Sequence, residues 1–363
     1  MLFFNLHNIF HFSLKGEIRS GLEAFFNQEL SDFREKESPV DLEIELVNKI
    51  PDPSIVFYPN AGRDNDYFYI RDQYSNKIGI ISSSRIIAES RVNANFLLEV
   101  IIEPLMLLNI LEKGYSFLHA SAVAMNNKAI IFSAFPKAGK TNIAVSLLKA
   151  GYSFLANDLV LVSQEGIAYS YQRPIALYPY NLTALPEIND VLTKGNPIMK
   201  AKVGLLSQIA KLQNINSIKY PKSLFQRIIQ MGLKEIIVRS LPLNPKVIGW
   251  NIASSATIDK VFILFPHTKL TKPEIREISD KKVFASQLWA NVLREKSNFY
   301  LKISSVYHFG FPEKKKTLKE DNLNLGAEIV AEAVNRAHCF ELYIPERLSI
   351  TEVFADCKKY IID

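Results

Sequence analysis

Cysteine is scarce in this sequence. Only two cysteines occur among the 363 residues, Cys339 and Cys357, both near the C-terminal end. Their spacing matches no zinc or redox motif, and a small secreted protein held together by disulfides would need more cysteines. The sequence therefore predicts a reduced, cytoplasmic setting.

Long apolar runs are also absent. The most apolar stretch, residues 96–111, is interrupted by Glu99, Glu103 and Pro104, whereas a membrane-spanning helix needs about 20 nearly uninterrupted apolar residues. Residues 1–16 are apolar, but they lack a basic start and a small-residue cleavage site, so no signal peptide is predicted. We therefore expect no membrane span.

Charge of one sign does not dominate either. The formal net charge is +6, which slightly favours acidic or phosphorylated partners but does not indicate a nucleic-acid partner. Hydrophobic residues make up 48% of the chain and charged residues 22%, as in folded globular proteins. The chain has no internal repeat, and its length allows one large domain or two ordinary ones.

Five histidines show no metal-ligand spacing, so no metal site built from protein side chains alone is predicted: His7, His11, His267, His308 and His338.

Hydrophobic periodicity divides the chain into two regions. Residues 1–112 are predicted to form an α+β region and residues 113–363 an α/β domain. In the first region, alternation predicts strands over 41–47, 54–58, 67–71 and 77–81 and a helix over 95–112. In the second region, the pattern predicts strands over 128–133, 159–162, 258–265 and 340–343, and helices over 142–150, about 284–293, 327–337 and 350–360.

Residues 191–250 differ from the rest in charge. They carry ten basic residues against the single acid Glu235. Such a segment is usually a solvated surface, but it could also dock an acidic peptide. The sequence leaves these two interpretations open.

One short segment has the pattern of a phosphate-binding loop. A buried strand is followed by Ala134, Phe135, Pro136, Lys137, Ala138, Gly139, Lys140 and Thr141, and a helix follows. Such a loop wraps backbone N–H groups around phosphate oxygens, its lysine reaches the terminal phosphates, and its hydroxyl binds Mg²⁺. The simpler interpretation is an ordinary strand-to-helix turn with a surface lysine. The strand before the loop and the helix after it favour the phosphate loop.

One position departs from the usual loop pattern, and a variable position of the loop carries a charge. Ala134 replaces the first glycine of the motif, which alanine can do wherever the backbone φ stays below zero. Lys137 adds a positive charge, which either contacts phosphate or points into solvent. Neither change breaks the motif.

The segments around the loop resemble a known family. Phe117-Leu-His-Ala120 precedes the strand, and residues 147–158, LLKAGYSFLAND, follow the loop. Together they resemble the core of the HPr kinase/phosphorylase family, which shares its fold with phosphoenolpyruvate carboxykinase. The resemblance covers about residues 117–165, with a weaker similarity near Phe340–Tyr343. Residues 1–100 look more like those of divergent relatives found beside enzymes of modified-peptide biosynthesis, including lasso-peptide serine kinases, so HPr itself is not the expected substrate.

The resemblance implies roles for individual residues. Family members phosphorylate serine hydroxyls with ATP and Mg²⁺, which would place Lys140 on the β- and γ-phosphates and Thr141 on the metal. Asp158 matches the second aspartate of the family pair, with a metal-side or phosphate-side role, and His119 matches the histidine beside the catalytic aspartate. Asn157 stands where the family has its general base, and an asparagine cannot take up a proton at neutral pH.

These observations lead to a principal prediction and two alternatives. The principal one is an ATP- and Mg²⁺-dependent kinase that phosphorylates a serine-type hydroxyl of a peptide or small protein. The first alternative is a nucleotide-binding sensor or partner module with little or no catalysis, because Asn157 replaces the base. The second is a kinase of small molecules. Arg173 is either a phosphate ligand or a surface residue, and a homo-oligomer is compatible with the sequence.

Overall fold

The computed structural model describes most of the chain. The described residues are 1–37, 39–58, 61–64, 67–136, 138–177, 204, 241–246, 248–311, 318–346, 348 and 350–362. Among the predicted features, Lys137 and nearly all of the basic segment 191–250 lie outside the described residues.

The N-terminal region is built on a nine-stranded mixed sheet. Its strands are β1 (Leu2–Leu6), β2 (Phe10–Gly16), β3 (Arg34–Glu35), β4 (Leu42–Val47), β5 (Ile55–Tyr58), β6 (Ala61–Arg63), β7 (Phe68–Arg71), β8 (Lys77–Ser82) and β9 (Arg85–Glu89). Their order across the sheet is β3-β1-β2-β4-β9-β8-β7-β6-β5. β4 shows why such segments form strands: Leu42, Ile44 and Leu46 are buried and alternate with less buried residues, which matches the two-residue period of a strand.

A strand of the second sheet leads directly into the predicted phosphate loop. Its strands are β10 (Tyr115–Met125), β11 (Lys128–Ser133), β12 (Ser153–Ala156), β13 (Leu159–Ser163), β14 (Ile167–Tyr169), β17 (Ser255–His267), β18 (Glu274–Glu277) and β19 (His338–Pro345). The order is β11-β10-β13-β14-β17-β19-β18, with β12 paired to β10 and a further pairing between β11 and β17. A separate two-stranded sheet pairs β15 (Ile175–Leu177) with β16 (Leu241–Leu243).

Helices pack against both sheets. They are α1 (Ser20–Glu29), α2 (Glu103–Leu111), α3 (Lys140–Lys149), α4 (Lys281–Glu295), α5 (Ser305–Gly310), α6 (Leu323–Val334) and α7 (Ile350–Ile362). Two π-helical segments, Phe96–Ile102 and Asn298–Ser304, precede α2 and α5, and two short 3₁₀ turns lie at Ser31–Phe33 and Glu320–Asn322. Within the described ranges, no helix combines the length and apolarity that crossing a membrane requires.

The α/β class predicted from the sequence is confirmed, since two large mixed sheets are combined with helices. Every predicted strand has an observed counterpart, although β17 extends beyond the predicted 258–265 at both ends. α3 begins two residues earlier than predicted, because the helix starts at Lys140 itself. The predicted helix over 95–112 is a π-helical segment followed by α2.

Strand pairing places the loop at one edge of the second sheet. β11 runs parallel to β17, and β17 runs parallel to β19, so the carboxyl ends of all three strands meet at the same edge. β10 runs antiparallel to β11 and brings Ala120 opposite Ser133, the last residue of β11. His119 therefore lies beside the point where the chain leaves the sheet and enters the loop.

One large apolar core connects the two regions. The cluster that contains Phe4 and Phe12 of the first sheet also contains Leu105 of α2 and Phe117 of β10. A second cluster lies under α3 and α7. The predicted boundary between residues 112 and 113 stays a prediction, because these contacts describe packing and not independent folding.

Candidate phosphate-binding and catalytic site

The loop between β11 and α3 forms a tight turn that ends in a left-handed glycine. Ala134 and Ala138 are buried, and the N–H of Ala138 donates to the carbonyl oxygen of Phe135 at 3.4 Å. Gly139 caps α3 with φ at +96°, a conformation that strongly favours glycine. Ala134 is not among the described residues with positive φ, which explains why alanine is tolerated at that position.

Lys140 is the first residue of α3, and its ammonium points into the protein. Nζ donates to the carbonyl oxygen of Ala134 at 2.7 Å and to Nε2 of His119 at 2.6 Å. Burial lowers the pKa of the Lys140 ammonium to about 8, although the carboxylates of Asp158 and Glu295 oppose this shift. At neutral pH most of these ammonium groups are charged but poorly solvated, so a phosphate oxygen would be a favourable partner.

Two hydroxyl side chains meet at Asn157. The hydroxyl of Thr141 donates to Oδ1 of Asn157 at 3.1 Å, and the hydroxyl of Ser121 donates to the same oxygen at 2.8 Å. An aspartate carboxylate could accept both bonds in the same place. The asparagine therefore keeps the geometry of the site while lacking the negative charge and basicity of a carboxylate.

Asp158 follows in a left-handed conformation. Its φ is +78°, which is uncommon for a residue other than glycine, and its carbonyl oxygen accepts a hydrogen bond from the N–H of Ala120 at 3.0 Å. This backbone conformation costs roughly 1 kcal/mol or more. It holds the carboxylate at the rim of the site, with 62% of the side chain exposed and Oδ1 3.5 Å from Nε2 of His119.

His119 is buried between a cation and a carboxylate. Its Nδ1 lies 3.1 Å from Oε1 of Glu295, and its Nε2 faces the Lys140 ammonium. Because an ammonium only donates, Nε2 must accept, and Nδ1 then carries the proton toward Glu295. Burial opposes ionisation of Glu295, but the contact with Nδ1 of His119 and the positive charges of Arg294 and Lys140 outweigh burial and lower the pKa of its carboxyl group.

Helix α4 adds residues that the sequence interpretation missed. The side-chain amide of Asn291 lies 3.2 Å from both the carbonyl oxygen of Ala134 and the hydroxyl of Ser133, which ties α4 to the start of the loop. Arg294 and Glu295 follow at helical spacings of three and four residues and so lie on the same side of the helix. In the sequence, these three residues could be recognised as a polar stripe beside the apolar face of α4. The stripe gives no indication that it contacts the loop.

A pocket of about 240 Å³ opens beside these groups. Its lining includes the following polar side chains: Glu99, Glu103, His119, Asp158, Glu295 and Lys296. Burial, together with the negative charges of Glu103 and Asp158, raises the pKa of the Glu99 carboxyl group, although Arg173 opposes the shift. The lining as a whole contains more carboxylates than cationic side chains. This excess of acidic groups favours a neutral or cationic occupant over an acidic one.

Arg173 does not lie in the loop. Its guanidinium contacts the carboxylates of Glu29, Glu99 and Glu103 at 2.8–2.9 Å, and only 11% of its side chain is exposed. Neither of the two interpretations from the sequence, a phosphate ligand or a surface residue, describes this arginine. Its place is explained by the fold, which brings α1, the π-helical segment and α2 against the turn after β14.

The structure brings together five of the predicted site residues: His119, Lys140, Thr141, Asn157 and Asp158. Ala134, Ala138 and Gly139 shape the loop, Phe135 and Pro136 are exposed on it, and Lys137 lies outside the described residues. Two oxygen donors, the Thr141 hydroxyl and the Asp158 carboxylate, suit a Mg²⁺ ion that takes its remaining ligands from phosphate and water. Among the described residues there is no group of three or more His, Cys, Asp or Glu residues that could hold a metal alone.

No protein-family model matches the chain, and no curated protein matches it. Among solved structures, the chain is weakly similar to the Hpr(Ser) kinase/phosphatase from Coxiella burnetii. The sequence identity is 10%, the TM-score is 0.22, and the match covers 45% of this chain and 77% of that chain. The assignment of a function therefore depends on the site residues themselves.

Proposed function

We propose that this protein binds ATP at residues 134–141 and transfers the terminal phosphoryl group to a hydroxyl group, as a kinase. The observation that carries the proposal is the meeting of Lys140, Thr141, Asn157, Asp158 and His119 around the N-terminus of α3. A helix N-terminus, a buried lysine and a hydroxyl after a left-handed glycine are the groups that phosphate binding needs. Phosphoryl transfer requires mainly positioning and charge neutralisation, and these groups supply both.

In the proposed reaction each residue has a separate task. The acceptor oxygen forms a bond to the γ-phosphorus, the bond between that phosphorus and the β–γ bridging oxygen breaks, and ADP leaves with the electron pair. Lys140 turns from His119 to the phosphate oxygens, which frees Nε2 of His119 to accept the hydroxyl proton. Thr141 and Asp158 would hold Mg²⁺, which supplies charge neutralisation on the phosphates.

The acceptor in this proposal is a serine-type hydroxyl of a peptide or small protein. The pocket of about 240 Å³ beside His119 and Asp158 is below the roughly 300–1,000 Å³ of typical ligand pockets, so it suits one side chain rather than a large molecule. Its acidic lining favours a neutral or cationic group at the point of transfer. An acidic docking segment would have to bind elsewhere, on the basic residues 191–250.

A second candidate function is a nucleotide-responsive binding module without catalysis. Asn157 favours it, because the amide oxygen beside Thr141 cannot take the acceptor proton. This module would bind ATP through the same loop and change its partner affinity, and it would leave acceptor hydroxyls unmodified.

Lys140→Ala tests the proposal, with Lys149→Ala at the other end of α3 as the matched control. ATP with Mg²⁺ should raise the melting temperature of the wild type and of Lys149→Ala, because a ligand at about 100 times its Kd stabilises a protein by about 2.7 kcal/mol. Lys140→Ala should lose this rise while its melting without nucleotide stays cooperative. Serine peptides incubated with ATP should gain one phosphoryl group, read by mass spectrometry, when the enzyme is the wild type or Lys149→Ala. They should gain none when it is Lys140→Ala.

An ATP-induced rise that is equal in Lys140→Ala and the wild type would contradict the phosphate-loop assignment. Nucleotide binding without any phosphorylated peptide or small hydroxyl compound would instead support the module.

A further inference from the structure

An aromatic ring and an arginine stack at the mouth of the loop. Phe135, the second loop residue, exposes 62% of its surface. The guanidinium carbon of Arg294 lies 4.6 Å from the centre of its ring, and 44% of the Arg294 side chain is exposed. Core packing does not explain a phenylalanine this exposed, and its ring is in contact with the guanidinium of Arg294 instead.

Arg294 also belongs to the chain of contacts that ends at Lys140. Its guanidinium pairs with the carboxylate of Glu295, which lies 3.1 Å from Nδ1 of His119, and His119 contacts the Lys140 ammonium. The charge of Arg294 acts in the same direction as burial and lowers the pKa of the Lys140 ammonium. A second positive charge therefore lies close to the lysine of the loop.

The contacts that hold Arg294 in this position are weak ones. An exposed ion pair and an exposed cation–π contact each contribute little to holding a side chain in one position. A phosphoryl group offers a guanidinium two parallel charge-assisted hydrogen bonds, which are roughly twice as strong as neutral ones. A bound phosphoryl group can therefore draw Arg294 away from Glu295 and Phe135.

We propose that Arg294 is a second cationic ligand of the transferred phosphoryl group, which turns from Phe135 and Glu295 onto its oxygens during the reaction. This inference rests on the proposed nucleotide site. Arg294 forms no covalent bond and takes up no proton, because its guanidinium stays charged at every accessible pH. Its task is to neutralise the charge on the equatorial oxygens, and its departure leaves Glu295 to pair with His119 alone.

The test compares MgADP with MgADP plus aluminium fluoride, which mimics the transferring phosphoryl group and needs no acceptor. Binding of each is measured by calorimetry in the wild type, Arg294→Gln and Arg294→Lys. The ADP affinity should stay within about threefold in all three. The gain in affinity from aluminium fluoride should fall about 100-fold or more in Arg294→Gln, since arginines in this role contribute about 10³ to 10⁵ in rate. Arg294→Lys should lie between, because it keeps the charge but loses the two-pronged geometry.

Arg276→Gln is the matched control. The Arg276 guanidinium also stacks on a ring, 4.8 Å from the centre of Tyr343, and pairs with a glutamate, Glu274, at 3.2 Å, but it lies on β18. This variant should behave as the wild type with both ligands. A fall in the aluminium fluoride gain in this control would trace the effect to a lost surface arginine in general and would overturn the inference.

The remaining outcomes separate the two proposals. No MgADP binding by the wild type would overturn the nucleotide site and this inference with it. An equal aluminium fluoride gain in the wild type and Arg294→Gln, or no gain in the wild type, would overturn the role of Arg294 and leave the nucleotide site standing. If Arg294→Gln loses its cooperative melting, Arg294→Lys decides: a reduced gain supports the inference and an unchanged gain overturns it.

Discussion

Single atoms decide how the two candidate functions differ. At position 157 an amide oxygen accepts from the hydroxyls of Thr141 and Ser121, where a carboxylate would also bring a base. His119 stands nearby with one nitrogen toward Glu295 and the other toward Lys140. Under the proposed kinase function, His119 would serve as the replacement base once a phosphate draws Lys140 away from its acceptor nitrogen.

Asn157→Asp should raise the rate of phosphoryl transfer, because it restores a carboxylate beside the acceptor and keeps both hydrogen bonds. General-base help typically contributes about 10² to 10⁴ in rate, and His119 already supplies part of it, so an increase of about tenfold or more is expected. The rate is measured by mass spectrometry on the best peptide acceptor.

Asn127→Asp, on the turn between β10 and β11, is the control for the added charge and should leave the rate unchanged. If Asn157→Asp binds ATP as tightly as the wild type but transfers nothing to any acceptor, the binding-module function replaces the kinase.

At the scale of elements, α4 decides how the site is assembled. It contacts β10 on one side and α6 on the other, and it presents Asn291, Arg294 and Glu295 to the loop. Gly326 of α6 makes this approach close, because a Cβ at that position would lie 2.2–2.4 Å from ring atoms of Trp289 on α4. The glycine thus sets the distance between the two helices.

Gly326→Ala should destabilise the protein by about 1 kcal/mol. Alanine gains up to about 1 kcal/mol of helix propensity over glycine, but forcing a methyl group against the indole costs roughly 1–3 kcal/mol. The free energy of unfolding in urea measures the balance. The matched control is Gly21→Ala in α1, where nothing lies within 4 Å of the added Cβ, so stability should stay equal or rise. A Gly326→Ala protein as stable as Gly21→Ala would show that the helices can move apart freely.

Across the whole molecule, a buried charge cluster joins the N-terminal region to the second sheet. Glu103 of α2 is 1% exposed and contacts Arg173 at 2.9 Å, the hydroxyl of Tyr171 at 3.0 Å, and the ammonium of Lys296. Burial opposes the ionisation of Glu103, but the charges of Lys296 and Arg173 outweigh it and lower the pKa of the carboxyl group. The two regions therefore depend on each other for compensation of buried charge.

Glu103→Gln should lower the free energy of unfolding by roughly 3 kcal/mol, because it leaves two buried cations short of a counter-charge. Since the folded-state pKa of Glu103 is lowered, its stabilisation is present above the ordinary glutamate range and is lost as the pH falls below about 4.3. The difference between the wild type and Glu103→Gln should therefore shrink in acid, as measured by urea unfolding at several pH values.

Glu112→Gln is the control from the end of the same helix, where an exposed carboxylate pairs with Lys319. It should change stability by no more than about 1 kcal/mol. Equal losses in the two variants would show that the buried cluster is not what joins the regions.

Local chemistry accounts for much of this fold. Alternation of apolar residues along the sequence predicted β4, β7 and β8, and the pattern of a strand, Gly139-Lys140-Thr141 and a helix predicted where a phosphate would meet the chain. These features depend on residues a few positions apart, through side-chain period and backbone φ, so they can be recognised without any partner.

Only the tertiary structure decided which groups surround that loop. The side-chain amide of Asn291 contacts the carbonyl oxygen of His119, which lies 172 positions away in the sequence. Arg173 forms ion pairs with three glutamates of the N-terminal region and does not lie at the phosphate loop. No local pattern specifies such contacts, because they arise from the pairing of β11 with β17 and from the packing of α4 on β10. The sequence by itself thus determined the loop and its lysine. Packing between distant segments decided which cations and carboxylates surround the loop and where the pocket opens beside it.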